Sequence, residues 1–185
     1  MSSDISICTS ALLMIGADEI SSFDDETREA KLCANLYPTT RDSLLQQHPW
    51  RFSLGQASLA RLVDTPLYGY NYAYQLPSGF LRVIEAERGD FAIYEDTIYS
   101  NQSELNITYQ FRPTEATMPA YFTRVLELKM SEILAVAVSE ELAKSNVFAE
   151  KVRQEVIRAR SIDSQQQTNF EIEGNNFLLT EIREI

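Results

Sequence analysis

The chain has 185 residues, 44% of them hydrophobic, and 27 acidic against 16 basic residues give it a formal net charge of −11. This length and hydrophobic content are sufficient for a folded domain with its own core, and they exclude wholesale disorder. The acidic balance excludes functions that depend on neutralising nucleic-acid phosphates, because that affinity comes largely from Lys and Arg contacts.

The first predicted element is a helix over residues 4–15. Its apolar residues recur at helical spacing, Ser3 is a suitable N-cap and Gly16 a suitable stop. No basic leader precedes this helix and its apolar run is too short to span a bilayer, so we expect a protein made without secretion and without a membrane. Cys8 and Cys33 are predicted to be buried thiols in a reducing compartment.

A second helix is predicted to begin at Asp24 or Asp25, because carboxylates suit the positive end of a helix. Pro38 predicts a kink or a break, with the helix continuing from Thr39 to Gln47. The apolar residues that define its buried face are Ala30, Cys33, Tyr37, Leu44 and Leu45.

The only histidine and the only tryptophan of the chain lie together where this helix ends, at His48, Pro49 and Trp50. A His triad or a two-His metal site would need a second histidine. We therefore predict a structural junction, in which Trp50 and Phe52 fill the space between helices and strands while the His48 imidazole caps a helix carbonyl. The charged residues that are candidates to pair across this junction are Arg41 and Asp42.

Residues 52–112 change to strand patterns. Four alternating tyrosines are predicted to share one face of a single strand; they are Tyr68, Tyr70, Tyr72 and Tyr74. Since residues 67–75 contain no Lys or Arg, a packing face or a protein interface is favoured over base stacking. Further strands are predicted over residues 80–86, 91–94, 97–99 and 105–109, with Glu95 and Asp96 as a hairpin turn.

Helical spacing returns after Pro113. Pro119 marks the start of a long apolar helix that is predicted to end near Ser145. A last helix follows, with an apolar stripe formed by Phe148, Val152, Val156 and Ile162.

This order of elements predicts an α+β fold. Residues 1–51 and 113–164 are expected to form a discontinuous helical bundle from both ends of the chain. Residues 52–112 are expected to form an inserted antiparallel β subdomain, and residues 165–185 an extended C-terminal docking arm.

The C-terminal segment combines a polar linker with bulky apolar residues. It either folds back as a hairpin across residues 174–176 or extends and completes the surface of another subunit. The residues predicted to dock are Phe170, Ile172, Phe177, Leu178, Leu179 and Ile182.

Adjacent acidic residues, such as Asp24 with Asp25 and Glu140 with Glu141, suggest an alternative function as a small carboxylate-dependent hydrolase. A glycosidase needs two carboxylates that face each other across a cleft, whereas neighbours in sequence do not. Helix capping and a solvated face explain these pairs, so we predict no enzyme, no catalytic residue, no cofactor and no metal ion.

Several stretches together resemble the head-to-tail adaptor proteins of tailed bacteriophages, often called tail tubular protein A-like connectors. The similar stretches are residues 8–17 (CTSALLMIGA), residues 42–52 with His48, Pro49 and Trp50, residues 69–77 (GYNYAYQLP), residues 81–83 (LRV) and the apolar helix that follows Phe122. The resemblance extends over nearly the whole chain, and it is the order and spacing of these stretches that make it specific.

The resemblance implies a structural virion protein at the head-tail junction, made in the cytoplasm of a bacterial host. Similar proteins form a ring, most often a dodecamer, between the portal protein and the tail or nozzle protein. Double-stranded DNA passes through such a ring without specific binding, and the acidic balance suits a channel that DNA must not adhere to. The resemblance also implies that the C-terminal arm reaches onto the portal or a neighbouring subunit, ordered only on assembly.

Overall fold

The computed structural model describes residues 3–87, 89–138 and 141–166. Within these ranges the protein is a mixed α+β fold with four α-helices and two small antiparallel sheets of three strands each, which confirms the predicted class. The helices are α1 (Asp4–Ile15), α2 (Arg28–Gln46), α3 (Ala120–Ala137) and α4 (Leu142–Ser164). The strands are β1 (Leu54–Ser58), β2 (Tyr72–Gln75), β3 (Phe80–Ala86), β4 (Phe91–Tyr94), β5 (Thr97–Ser100) and β6 (Asn106–Phe111).

Helix α1 begins and ends at the residues predicted from the sequence. The Ser3 hydroxyl accepts from the Ser6 main-chain N–H at 3.1 Å, and the Ser6 hydroxyl accepts from the Ser3 N–H at 2.7 Å. This reciprocal capping box satisfies two N–H groups that the first turn leaves free. Gly16 takes the left-handed conformation, with a φ of 82°, and ends the helix.

The predicted cap of α2 is wrong. Thr27 is the N-cap, and its hydroxyl accepts from the Ala30 N–H at 3.2 Å. Asp25 instead accepts from the main-chain N–H groups of Ser21 and Ser22, at 2.9 and 3.0 Å, and so it shapes the loop before the helix. A carboxylate suits both roles, so composition alone did not separate them.

Of the predicted kink or break at Pro38, the break is wrong, because α2 is one continuous helix from Arg28 to Gln46 with Pro38 inside it. Proline removes one internal hydrogen bond. Helix α2 buries residues both before and after Pro38. The predicted buried residues Ala30, Cys33, Tyr37, Leu44 and Leu45 are all buried.

The strands form two separate sheets. In the first, β6 lies between β1 and β3, with Leu54 opposite Gln110. In the second, β5 lies between β2 and β4, and β4 and β5 form the predicted hairpin at Glu95 and Asp96. Glu95 has a φ of 54°, so a non-glycine residue supplies the left-handed conformation that such turns require.

The prediction of one strand with four tyrosines is wrong. Strand β2 begins only at Tyr72, and Tyr68 and Tyr70 lie in the loop before it. Tyr74 is buried in the β core, whereas Tyr68 is almost fully exposed. The tyrosines therefore lie in different environments, although their spacing in sequence is regular.

The predicted end of the third helix near Ser145 is wrong as well. Helix α3 ends at Ala137, and α4 begins at Leu142 and packs back against α3. The residues around this turn include strong helix formers and no Gly or Pro, so local sequence gives no stop signal. The apolar stripe of α4 is as predicted at Phe148, which is buried, and at Val152 and Val156, which pack on the same core.

Two hydrophobic cores are present in the described ranges. The larger one contains buried residues from all four helices together with Trp50. The smaller one lies among the strands, and its buried members are Leu59, Tyr74, Leu76, Ile98, Leu105 and Ile107. The residues between α2 and β1, and those after β6, are therefore the places where the helical and the β part connect.

Candidate functional site

Trp50 is the centre of the connection between the two parts. Its ring is fully buried and packs edge-on against Phe122, with ring centroids 5.2 Å apart. The indole Nε1 donates to the Leu44 carbonyl at 3.1 Å and so satisfies an acceptor in the last turn of α2. The sequence predicted this capping role for the His48 imidazole, and the indole takes it instead.

The other residues of the predicted junction surround Trp50. The His48 ring meets the indole edge-on at 4.9 Å, and Phe52 packs at 4.9 Å from Phe122. Pro49 is exposed and contributes no side chain to the core. The structure thus brings His48, Trp50 and Phe52 together and leaves Pro49 as the outer edge of the turn.

Asp163, near the end of α4, is a buried carboxylate beside this aromatic group. It accepts from the Tyr121 hydroxyl at 2.7 Å and from the Arg51 main-chain N–H at 3.1 Å. The His48 Nε2 lies 3.6 Å from its second oxygen. One side chain therefore connects α4, α3 and the start of the β part, and these hydrogen bonds compensate for burying its charge.

The contacts of Asp163 also affect the titration of its neighbours. Burial lowers the pKa of His48, and the nearby Arg160 lowers it further, so that the imidazole is neutral at pH 7 although Asp163 opposes the shift. Burial, assisted by the hydrogen bond to Asp163, raises the pKa of Tyr121. Both groups are thus held in their uncharged forms, which suits a structural contact more than proton transfer.

Gln110 connects the two parts from the β side. This side chain is fully buried on β6, and its amide donates to the Leu45 carbonyl at 2.7 Å and to the His48 carbonyl at 2.9 Å. It also lies 3.0 Å from the Ser53 hydroxyl. A strand residue therefore satisfies acceptors at the end of α2, and the helix terminus needs no water there.

A cluster of four charged residues lies across the same boundary; we call Arg41, Asp42, Arg112 and Glu115 the salt-bridge cluster. Arg41 pairs with Glu115 at 2.8 Å, and Arg112 pairs with Asp42 through two hydrogen bonds of 2.9 and 2.5 Å. Burial alone raises the pKa of Asp42, but hydrogen bonds from Arg112 and Arg41 outweigh it and lower the value. The prediction that Arg41 and Asp42 pair across the junction agrees with this geometry.

Neither pair of adjacent acidic residues gives a described catalytic site. Asp25 accepts from loop N–H groups, and Asp24 donates its own main-chain N–H to Ser22. Glu140 lies outside the described residues. Over residues 3–87, 89–138 and 141–166, no group of three or more His, Cys, Asp or Glu side chains is placed to hold a metal ion. In the same ranges no helix combines the length and apolarity needed to cross a bilayer.

The two cysteines meet between α1 and α2. Cys8 and Cys33 are both fully buried and both are free thiols. Their mutual contact and burial raise the pKa of Cys8, so that this thiol stays protonated at neutral pH. They act as small apolar residues of the helical core, as the sequence predicts.

The most exposed apolar side chains of the described residues lie in the loop between β1 and β2. In residues 60–71, which we call the exposed loop, Val63 is 98% exposed, Leu67 97% and Tyr68 86%. Exposed apolar side chains that form a contiguous patch are a feature of surfaces that contact other proteins. Sequence reasoning noted Tyr68 but assigned it to a strand, and it did not single out Val63 or Leu67.

The predicted docking residues of the arm lie outside the described residues; they are Phe170, Ile172, Phe177, Leu178, Leu179 and Ile182.

No model of a known protein family matches the chain, and no curated protein matches its sequence.

Sequence reasoning missed two residues of this connection, Gln110 and Asp163. Gln110 lies in the alternating pattern of a strand, where a single glutamine predicts a position that faces solvent. Asp163 comes directly after Ile162, the last residue of the predicted apolar stripe of α4. The sequence therefore predicts a solvent-exposed polar residue at the end of the helix. Only the long-range contacts with His48 and Leu45 distinguish these two side chains from ordinary surface residues.

Proposed function

We propose that this protein is a structural adaptor of a bacteriophage virion, forming a ring between the portal protein and the tail or nozzle. The ring is a dodecamer in this proposal, and double-stranded DNA passes through it without specific binding. The family resemblance of the sequence motivates the proposal, and the protein acts by contact and not by catalysis.

The exposure of apolar side chains in the exposed loop is the structural observation that supports the proposal. A folded chain gains nothing on its own from placing Val63, Leu67 and Tyr68 in water, since burial of one such side chain is worth about 1.5–3 kcal/mol. A partner that covers the loop recovers this energy. The family resemblance implies that the β part faces tail components, so in the proposed assembly the loop contacts a tail component.

The connection between the two parts supports a mechanical role. Asp163 and Gln110 each join the helical part to the β part through a buried side chain, and Asp42 pairs with Arg112 across the same connection. An adaptor has to transmit position from one neighbour to the other, and several independent cross-links resist a change in angle. We propose the finer arrangement accordingly: residues 1–51 and 113–164 as a helical bundle and residues 52–112 as an inserted β subdomain.

Charge and the C-terminal arm complete the proposal. The net charge of −11 gives a channel wall that repels DNA phosphates, so the genome can slide without sticking. Residues 165–185 act as the docking arm, and Phe170, Ile172, Phe177, Leu178, Leu179 and Ile182 are its contact residues. A portal or a neighbouring subunit is the proposed acceptor in the assembled particle.

The test is reconstitution. The purified chain, the portal protein of the same virus and their mixture are compared by native mass spectrometry. We expect a stoichiometric complex that contains about twelve copies of this chain, in accord with a closed cyclic assembly. If the mixture forms no complex, the proposal is wrong. Cleavage of peptidoglycan that disappears on substitution of a single Asp or Glu would establish the hydrolase alternative instead.

A further inference from the structure

An apolar groove lies where the end of α1 meets the start of α4. Val147 within it is 55% exposed, although it is a large hydrophobic side chain. Lys144 lines the groove, donates to the Ile15 carbonyl at 3.3 Å and pairs with Glu141 at 3.0 Å. The residues that line this α1–α4 groove are Met14, Ala143, Lys144, Val147 and Phe148.

We propose that the α1–α4 groove is a docking site for residues 177–182 of the same chain before the protein assembles. This segment contains the four bulky apolar residues Phe177, Leu178, Leu179 and Ile182. The inference concerns the free chain and goes beyond the ring proposed above. A chain that covers its own groove and its own apolar segment avoids aggregation until a partner competes for the segment.

The length of the chain beyond α4 is sufficient for this contact. From Ser164 back to Val147, α4 covers 17 residues, or about 26 Å at ~1.5 Å per residue. The 11 residues from Gln166 to Phe177 span at most about 36 Å when extended. The apolar segment therefore reaches the groove with some slack if it returns along α4.

Charge favours this path. Helix α4 has five Lys and Arg residues against three Asp and Glu, the largest positive excess of any described helix or strand, and Asp163 among its acids is buried. Residues 167–185 contain four Glu and one Arg. Lys144, Arg153 and Arg158 already pair with Glu141, Glu150 and Glu155. Lys151, which lies 5.2 Å from the Phe148 ring beside the groove, is therefore the residue of α4 that attracts an acidic segment.

The edge strand β4 is another exposed apolar surface with which an extended segment can pair, and charge disfavours it. Phe91 and Ile93 of β4 are partly exposed. Asp90 precedes this strand, and Glu95 and Asp96 follow it, so an acidic segment would meet like charges at both ends. The α1–α4 groove is therefore the better acceptor for residues 177–182.

Docking within one chain also outcompetes docking between chains in dilute solution. A short flexible linker gives its own segment an effective concentration on the order of millimolar. A second copy at micromolar concentration supplies about a thousandfold less. The segment therefore occupies the groove of its own chain unless a partner is present at high local concentration.

The first experiment measures whether the groove is occupied in the full-length chain. A fluorescent peptide of residues 167–185 is titrated with wild-type protein and with the full-length double variant Leu178→Ser, Leu179→Ser. We expect the double variant to bind the peptide at least about tenfold more tightly, because its own segment no longer competes. Equal binding by the two proteins, or no binding by the double variant, would overturn the proposal.

A matched pair of further substitutions locates the binding site. In the double-variant background, Val147→Ser should abolish peptide binding, whereas Val63→Ser should leave it unchanged. Both positions carry an exposed valine, but only Val147 lines the α1–α4 groove. If the two substitutions have the same effect, the groove is not the site.

Photo-crosslinking distinguishes contact within one chain from contact between chains. With p-benzoylphenylalanine in place of Phe177, irradiation of a dilute sample should give a product of monomer mass, crosslinked to Met14 or Val147. Products of dimer mass, or crosslinks elsewhere, would contradict the proposal. These experiments contain no portal protein, so their outcome is independent of the reconstitution test.

Discussion

The Gln110 amide donates to the Leu45 carbonyl at 2.7 Å, so a strand residue supplies the hydrogen bond that a carbonyl at the end of helix α2 would otherwise lack. The same nitrogen is within hydrogen-bonding distance of the His48 carbonyl and the Ser53 hydroxyl. This arrangement couples the end of the helix to the middle strand of the first sheet. Both parts of the protein therefore depend on one buried amide.

Gln110→Met is expected to destabilise the protein by about 3 kcal/mol, because it leaves buried acceptors without a donor at a cost of roughly 1–3 kcal/mol each. Urea unfolding followed by the fluorescence of Trp50, the only tryptophan, measures the change. Gln56→Met on β1 is the matched control, since Gln56 is exposed, and we expect a change within about 0.5 kcal/mol. Equal effects of the two substitutions would show that the contact does not stabilise the fold.

The salt-bridge cluster predicts a dependence of stability on acid. Because Arg112 and Arg41 lower the pKa of Asp42 in the folded state, the folded chain holds the charged form more strongly than the unfolded chain does. This stabilisation is fully present above the ordinary aspartate pKa of about 3.9 and is lost as the pH falls through the lowered folded value.

Asp42→Asn is therefore expected to destabilise the protein at about pH 6 and to make little difference at about pH 2.5. Urea unfolding of both proteins at the two pH values gives the comparison. Asp64→Asn in the exposed loop is the control and is expected to leave stability unchanged at both. A constant difference between wild type and Asp42→Asn at the two pH values would refute the assignment.

The buried thiols predict slow chemical modification. Cys8 and Cys33 are fully buried, and the raised pKa of Cys8 keeps that sulfur protonated, whereas the thiolate is the reactive form. With an aromatic disulfide reagent at neutral pH, native protein should react only at the rate at which it opens. Both thiols should react at once in guanidinium. Rapid reaction of either thiol in native buffer would contradict the described packing.

The exposed loop predicts a separation of stability from assembly. The double substitution Leu67→Ser, Tyr68→Ser should change the free energy of unfolding by no more than about 0.5 kcal/mol, because neither side chain is packed. Co-sedimentation with the tail or nozzle protein of the same virus should nevertheless be lost. Exposed Ile157→Ser on α4 is the comparison, and it should sediment as wild type does. Retained binding by the double variant would exclude the loop as the contact surface.

Local chemistry was sufficient to predict some elements from the sequence. Helix α1 begins and ends where Ser3 and Gly16 indicate, because capping depends on side chains within one turn. Strands β3 and β4 have the predicted bounds, since their turn residues are adjacent to them. In these cases the residues that decide the structure are neighbours in the chain.

Other elements depend on distant packing and were missed. Strand β1 contains Gly55 and lacks alternation, yet it pairs along β6, where a Cβ on Gly55 would lie 3.4 Å from the Tyr109 ring. The turn after Ala137 follows from the packing of α4 on α3. No residue near the turn is a stop signal for a helix. The partners of Asp163 are likewise remote in sequence. The role of this carboxylate at the end of a helix therefore could not be predicted from its neighbours in the chain.

The chain passes into the β part at Arg51 and leaves it at Arg112, and a carboxylate of the helical part holds each of these residues. Asp163 accepts from the main chain of Arg51, and Asp42 pairs with the side chain of Arg112. The segment between these anchors has its own core. A change of length within that segment, away from Gln110 and the two anchors, is consequently expected to leave the helices packed as they are, in accord with the tolerance of exposed loops for insertions.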